Sequence, residues 1–374
     1  MRKVAVLFGG KSCENEISVL TGVFVMHLID REKYSVVPVY IHTDGQAYTS
    51  PNMTSLDTFK QKKYRDFQRV IFDNGYLYAF QADKKRVKRL SKIDVALNCC
   101  HGGLGEGGGV SAMMEWNNVP LASPDLTASG VFMDKCMTKT VMRGLGVPTV
   151  DYLRASEHDY KKRGAFLLKS IAGRLKYPVV IKPAHLGSSI GISLAKNEAE
   201  AKAAIENAFL LDDRVIIEKY LADKQDVNCA ACFIKGEICI SEPESAFGDG
   251  IYSFEEKYVK RKADNARQPI KGGGRVAIKG EIRDKIRAYT RTVYKRMNLR
   301  GAVRMDFLVS KNQVYLCEVN TVPGSLAYYL FCERIMDARA FFTDLLEEAV
   351  LSHKETQKQI LSTGILRSVS WQTK

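Results

Sequence analysis

Residues 302–320, "AVRMDFLVSKNQVYLCEVN", constrain the fold more than any other stretch. Two apolar runs flank the polar triplet Lys311-Asn312-Gln313, which is the pattern of a β-hairpin. Alternate side chains of a strand share one face. With the triplet as the loop, Ser310 faces Val314, Asp306 faces Glu318, and Arg304 faces Asn320. One face of the ribbon then carries Arg304, Asp306, Glu318 and Asn320. Carboxylates placed opposite each other repel, and a divalent ion between them removes the repulsion. Asp, Glu and Asn make an all-oxygen donor set suited to Mg²⁺ or Mn²⁺ bridging to phosphates. Taken alone, a strand wetting its polar face explains the same alternation. The second strand breaks at Pro323-Gly324.

A second segment handles anions. In "KPAHLGSSIGIS" (182–193) an apolar strand ends at Lys182. Gly187-Ser188-Ser189-Ile190-Gly191 then lets backbone N–H groups and two hydroxyls converge on a negative charge. The chain has no G-x-x-x-x-G-K-[ST] loop, so a nucleotide needs another device. "IIEKYL" (216–221) offers one. An edge strand presents backbone groups to adenine, Glu218 accepts from its amino group, and Tyr220 and Leu221 flank the ring. Asp226 is placed for ribose hydroxyls.

The N-terminal third reads as strand, glycine turn and helix ("VAVLFGG", then a helix opening near Ser12), followed by strands at 35–41 and 93–100. That is the logic of an open parallel sheet with functional loops at its strand ends. Helices are expected over 133–144, 198–210, 279–299 and 338–354, and a hairpin turning at Lys235-Gly236. Residues 245–275, poor in apolar anchors, have the composition of a lid. The basic stretch 50–92 and the tail after Lys354 carry no assignment.

With 374 residues, two or three domains are expected. No apolar run approaches the ~18–20 residues of a membrane span, and the first apolar run is too short for a secretory signal. Nine cysteines, an odd number, read as reduced core residues of a cytoplasmic protein. Zinc at Cys229-Ala-Ala-Cys232 is the weaker reading. The net charge of +14 raises nucleic acid as a partner. The basic clusters lack the aromatic interleaving of a nucleic-acid module, so a surface attracting small anions is the expectation, with neither nucleic acid nor membrane as partner.

Taken in order, "LFGGKSCENEIS", "HGGLGEGGG", "MDKCMTK", "VIKPAHLGSSIGIS", "IIEKYL", "YSFEEKY", "VRMDF" and "EVNTVPG" resemble the D-alanine–D-alanine ligase family of the ATP-grasp superfamily. The resemblance implies a mixed α/β and α+β fold: a Rossmann-like parallel-sheet domain over 1–124, a small central ATP-grasp subdomain over 125–213, and a C-terminal subdomain over 214–374 with its lid at 245–275. It implies ATP with two ions of Mg²⁺ or Mn²⁺, D-alanine or related small D-acids as substrates, and a homodimer. On the matched positions, Glu14 holds the ammonium of the first substrate, and Ser188 and Tyr258 link it to the lid. His101 lies near that substrate. Lys135, Lys182 and Lys257 meet the ATP phosphates, and Glu218, Lys219, Tyr220, Leu221 and Asp226 meet the nucleoside. Asp306, Glu318 and Asn320 are metal ligands. Arg304 and the Gly324 N–H stabilise the oxyanion. Three positions depart from the family: Gly107 replaces an acid, Ser111 a glutamine, and Tyr329 a small hydroxyl residue that usually binds the second substrate. That position opens an alternative acceptor, a different D-amino or D-hydroxy acid. A nucleotide-binding protein without ligase activity is a further alternative.

Overall fold

A computed structural model gives the fold and describes residues 1–81, 85–245, 277–359 and 361–365. Tyr258 and Lys257, and the expected lid after Ser245, lie outside the described residues.

The first sheet is built from β1 (Arg2–Gly9), β2 (Tyr34–Ile41), β3 (Ala47–Thr49), β4 (Gln68–Asp73), β5 (Tyr76–Phe80), β6 (Val87–Lys92) and β7 (Val95–Asn98), in the order β6-β5-β4-β3-β2-β1-β7. Its core is parallel: β1 pairs with β2 on one side and β7 on the other. Both faces of β1 are covered, so Val4 to Phe8 form an unbroken buried apolar run. The basic 50–92 stretch supplies β4, β5 and β6, an antiparallel extension of that core. The extension is stabilised in part by guanidinium groups over rings, Arg69 on Phe80 and Arg89 on Tyr76. The expected parallel sheet therefore exists as its centre, widened into a mixed sheet. Helix α1 (Asn15–Leu28) covers one face, and α2 (Leu56–Lys60) follows β3.

The chain then runs through α3 (Val110–Trp116), α4 (Leu126–Met133) and α5 (Lys135–Gly144). The central sheet, in the order β10-β9-β11-β8, consists of β8 (Tyr152–Ser156), β9 (Val179–Pro183), β10 (Ser193–Ala195) and β11 (Arg214–Lys219). It carries α6 (Glu157–Ser170) and α7 (Glu198–Phe209) on one face over their own core. Strand β11 pairs with both β8 and β9. Residues 214–219 therefore complete this sheet, which corrects the expected boundary at 213/214.

The third sheet contains β12 (Gln225–Ile234), β13 (Glu237–Ile240), β15 (Ala302–Ser310) and β16 (Gln313–Asn320), with the short β14 (Glu244–Ser245) paired to β12. Helix α8 (Gly280–Arg296) packs on its apolar face, and α9 (Ala338–Thr356) wedges between the first and third sheets. Cys229 and Cys232 lie three residues apart on β12 and so face opposite ways, one into each of two cores. That geometry rules out their sharing a zinc ion. No described helix is long and apolar enough to cross a membrane.

Candidate active site

The polar face of the third sheet forms the floor of the site. Arg304 pairs with Asn320, and Asp306 with Glu318. The turn that sets this register is shorter than expected. Ser310 faces Gln313, and Lys311 and Asn312 alone form the loop, both with positive φ (47° and 61°). A bulge after Asp306 then inserts Cys317 as an extra residue on β16 and restores the functional pairs. Asp306 accepts two bonds from its strand neighbour Arg304, from Nε at 2.7 Å and Nη2 at 2.8 Å, and one from Asn320 Nδ2 at 3.1 Å. Arg304 Nη1 donates to the Tyr329 hydroxyl at 3.3 Å. Across the sheet, β12 sets Asn228 opposite Asp306, a polar neighbour the sequence reading overlooked. Asp306, Glu318, Asn320 and Asn228 form a hard-oxygen donor set that fits a magnesium-like ion.

The central sheet contributes the charged wall. Lys182 on β9 and Lys139 on α5 both meet Glu218 on β11, at 2.6 and 2.8 Å. Lys139 and Glu218 are buried, at 1 % and 5 % exposed, and Lys182 is partly buried. Burial by itself raises the Glu218 carboxyl, but Lys139 and Lys182 outweigh it and hold the group down at about 2. Burial opposes the Lys182 charge, while Cys317, Glu218 and Glu318 reverse that and raise its pKa. Both Glu218 oxygens are therefore engaged by ammonium groups. The sequence reading has this carboxylate open to an adenine amino group; in the fold it already meets two lysines. Lys139 was the missed residue; its one signal was a place one helical turn after Lys135. Lys219 ends β11, which lies between β9 and β8 and so is an interior strand and not the expected edge; Tyr220 and Leu221 follow it. Asp226 is ion-paired with Lys224, so its carboxylate is shared before any ribose meets it.

Between these walls, the glycine-serine loop meets the first sheet. Ser188 Oγ donates to Glu14 Oε1 in a short hydrogen bond. Glu14 starts α1 but does not cap it with its side chain. Two glycines make room for its carboxylate: a Cβ would come within 2.5 Å of Glu14 Oε2 at Gly102 and 2.8 Å at Gly187. Ser188 and Ser189 sit at positive φ (51° and 61°), an unfavourable backbone for serine that the loop's contacts must sustain. Lys135 opens α5 and reaches the same loop through its Nζ, 2.5 Å from the Leu186 carbonyl.

His185 fastens that loop from behind. Its Nδ1 lies 2.9 Å from Asp212 Oδ1 and its Nε2 3.4 Å from Asp134 Oδ2. Asp134 in turn caps α5 by accepting from the N–H groups of Cys136 and Met137. Hydrogen bonds to Asp134 and Asp212 raise the His185 imidazole to about 9. His185, Asp212 and Asp213 have ligand atoms within 4.8 Å of one another, but a protonated imidazole offers no lone pair to a metal. The raised pKa makes a prediction about stability. The clamp's contribution is complete below about pH 6.5 and is lost as pH rises through about 9. The melting temperature is expected to fall between pH 6.5 and 9.5, and His185→Gln to flatten that fall. Equal pH slopes in the two proteins would refute the clamp.

His101 departs from expectation. It is buried, with Nε2 2.8 Å from Thr21 Oγ1 and a further hydrogen bond to the Val322 backbone. Its Nε2 is thus engaged by α1 rather than turned to open solvent. Burial lowers its pKa to about 4, and the ring is neutral. Glu106, also overlooked, accepts from Gly102 N–H at 2.8 Å and Val322 N–H at 3.3 Å. Burial, with the Glu14 and Glu318 charges adding to it, lifts its carboxyl to about 7. Gly324, after Val322 and Pro323, opens a turn in which Ser325, Leu326 and Ala327 all have φ near +50°. Each such residue costs about 1–3 kcal/mol, which the surrounding contacts must offset. Of the other two family departures, Ser111 is buried and donates to the Pro124 carbonyl, and Gly107 lies against Met133.

Residues 3–124 match the family model for the D-ala D-ala ligase N-terminus, and residues 141–351 match the model for the D-ala D-ala ligase C-terminus. A D-alanine–D-alanine ligase of Thermosipho africanus is 33% identical, with 88% of each chain covered. One from Thermosipho melanesiensis is 30% identical over 98% of this chain and 99% of its own. The solved D-alanine–D-alanine ligase of Coxiella burnetii superposes with a TM-score of 0.78 at 22% identity, over 98% of this chain and 99% of that one.

Proposed function

The chain belongs to the D-alanine–D-alanine ligase family, and from that premise we infer how its residues divide the work of an ATP-dependent ligation of two D-alanines for peptidoglycan precursors. The observation that carries the division of roles is the Glu14–Ser188 contact, which joins the first-sheet loop to the phosphate-side loop at one point. Glu14 receives the ammonium of the first D-alanine there, and its carboxylate is directed toward the Lys135 and Lys182 side. Those two lysines, held by the loop and by Glu218, neutralise charge spread over the transferring phosphoryl group. Asp306, Glu318 and Asn320 would hold the divalent ions, which when bound would supply neutralisation of phosphate charge. The carboxylate of the first substrate becomes an acylphosphate. The amine of the second D-alanine then attacks it, and phosphate leaves from a tetrahedral intermediate. Arg304 and the Gly324 N–H steady the oxyanion of that intermediate, and the Tyr329 hydroxyl meets the acceptor's carboxylate. Homodimer assembly and a cytoplasmic setting belong to the same reading.

Phosphate release measured with ATP, Mg²⁺ and D-alanine, alongside dipeptide detected by mass, tests the reading. D-Alanine-dependent release with one dipeptide per phosphate is expected. A panel of D-amino and D-hydroxy acids checks the acceptor, with D-alanine expected to lead. Release that ignores D-alanine, or a better acceptor than D-alanine, would defeat the assignment.

A further inference from the structure

The Val322–Ser325 turn leaves the third sheet, yet its fastenings come from the first-sheet part of the chain. Val322 N–H donates to Glu106 Oε1 at 3.3 Å, and Thr321 Oγ1 donates to the Glu106 carbonyl at 3.4 Å. Ser325 N–H donates to Thr21 Oγ1 at 3.4 Å. Thr21 Oγ1 lies 2.8 Å from His101 Nε2, and His101 returns to the Val322 backbone. A closed ring results: Thr21, His101, Val322, and back along the chain to Ser325. Gly324 lies between the two fastened ends. The Thr21 hydroxyl accepts from Ser325 N–H and shares a hydrogen bond with His101 Nε2. Thr21 itself is buried on α1, 4 % exposed, among apolar neighbours. The three left-handed residues after Gly324 make an unsupported turn unfavourable, and the ring holds the first of them.

We propose that Thr21 is a positioning residue for the ligation step: through the Thr21–His101 ring it sets where the Gly324 N–H points. The proposal rests on Gly324 acting as an oxyanion donor. Without the hydroxyl, Ser325 N–H and His101 Nε2 both lose their partner and the turn relaxes. The acylphosphate still forms, since the lysine wall is untouched, but capture by the second amine slows. Water then takes a share of it, returning D-alanine and phosphate.

The test compares the full-length protein with Thr21→Val and Thr21→Ser, with Thr21→Ala replacing the valine variant if that one does not fold. In Thr21→Val, kcat for dipeptide is expected to fall about ten- to a hundredfold, the range a misplaced catalytic group produces. KM for ATP stays within about twofold, and phosphate released per dipeptide rises above the wild-type ratio. Serine restores kcat and ratio. A valine variant with wild-type kcat and ratio overturns the proposal. So does a serine variant as impaired as valine, since the methyl would then be what matters, and so does a loss tracked by melting temperature with the ratio unchanged. A wild-type protein that makes no dipeptide removes the functional reading and this proposal together; an active wild type with an unaffected valine variant removes the proposal alone.

Discussion

Replacing Arg304 with methionine is expected to lower kcat for dipeptide formation by about 10²–10³-fold, the loss that follows removal of one fixed oxyanion donor, about 2.7–4 kcal/mol. Arg304 is the one described residue that touches both the metal-side carboxylate and the acceptor-side hydroxyl, through Asp306 and Tyr329. Its planar fork spans both because Nε and Nη2 face Asp306 while Nη1 faces Tyr329. Lysine has a single point of charge and cannot do this, so Arg304→Lys should recover only a small part of the loss. The competing account is that Arg304 merely neutralises Asp306. The two separate on metal dependence. If neutralisation were its whole role, methionine would free Asp306 for the ion, and raised Mg²⁺ would restore the rate. If Arg304 stabilises the oxyanion, the deficit in kcat persists at saturating Mg²⁺. KM for ATP, set largely by the lysine wall, should change little. A methionine variant with unchanged kcat would end the oxyanion assignment.

The register behind that prediction shows how far the sequence reaches. Arg304 opposite Asn320 and Asp306 opposite Glu318 were legible from alternation and a loop guess, although the guess was one residue too long. The turn is the two-residue Lys311-Asn312 type, and the Cys317 bulge returns the missing residue. Two opposite errors cancelled, because alternation constrains only which residues share a face, and a bulge flips that count locally. Strand β11 was read as a strand but assigned to the wrong side of a boundary. Its partners β8 and β9 are distant in sequence, and local pattern carries no information about pairing.

The site residues divide in the same way. Glu14 and Ser188 stand 174 positions apart and meet in the fold; motif order pointed to both, while their contact needed the glycine cradle. Glu218 was legible as a polar residue on an apolar strand, read as an edge strand. Its partners were not, since Lys139 comes from a helix and Lys182 from a neighbouring strand. His101 and Thr21 were the least accessible. A buried histidine in a glycine-rich loop looks like a substrate contact, and a threonine on an apolar helix looks like packing. Only the three-dimensional closure of their hydrogen bonds assigns them to the turn after Pro323.

Glu218→Gln carries the largest expected effect on stability. The carboxylate lies between two ammonium groups, and its pKa of about 2 in the fold reflects their attraction overcoming its burial. Removing the negative charge leaves Lys139 and Lys182 close together, with Glu318 to offset Lys182 in part, in a site nearly closed to water. Breaking a buried ion pair by deleting one partner costs about 3–5 kcal/mol, and here one deletion takes that partner from two cations. Unfolding by urea should show a loss in that range. Lys139→Met should cost less, because Glu218 keeps Lys182 at 2.6 Å. The pH dependence has a fixed sign. A depressed carboxyl stabilises the fold above its unfolded pKa, near 4.3, and that contribution disappears as pH falls toward 2. The wild type should therefore lose stability over this interval more steeply than Glu218→Gln, which has no carboxyl to protonate. A functional consequence accompanies the structural one: with its anchor gone, Lys182 is free to swing from the phosphate wall, and KM for ATP should rise. If Glu218→Gln unfolds at the wild-type urea midpoint, the trio is not holding the central sheet to α5, and the charged wall of the site must be ordered by something else.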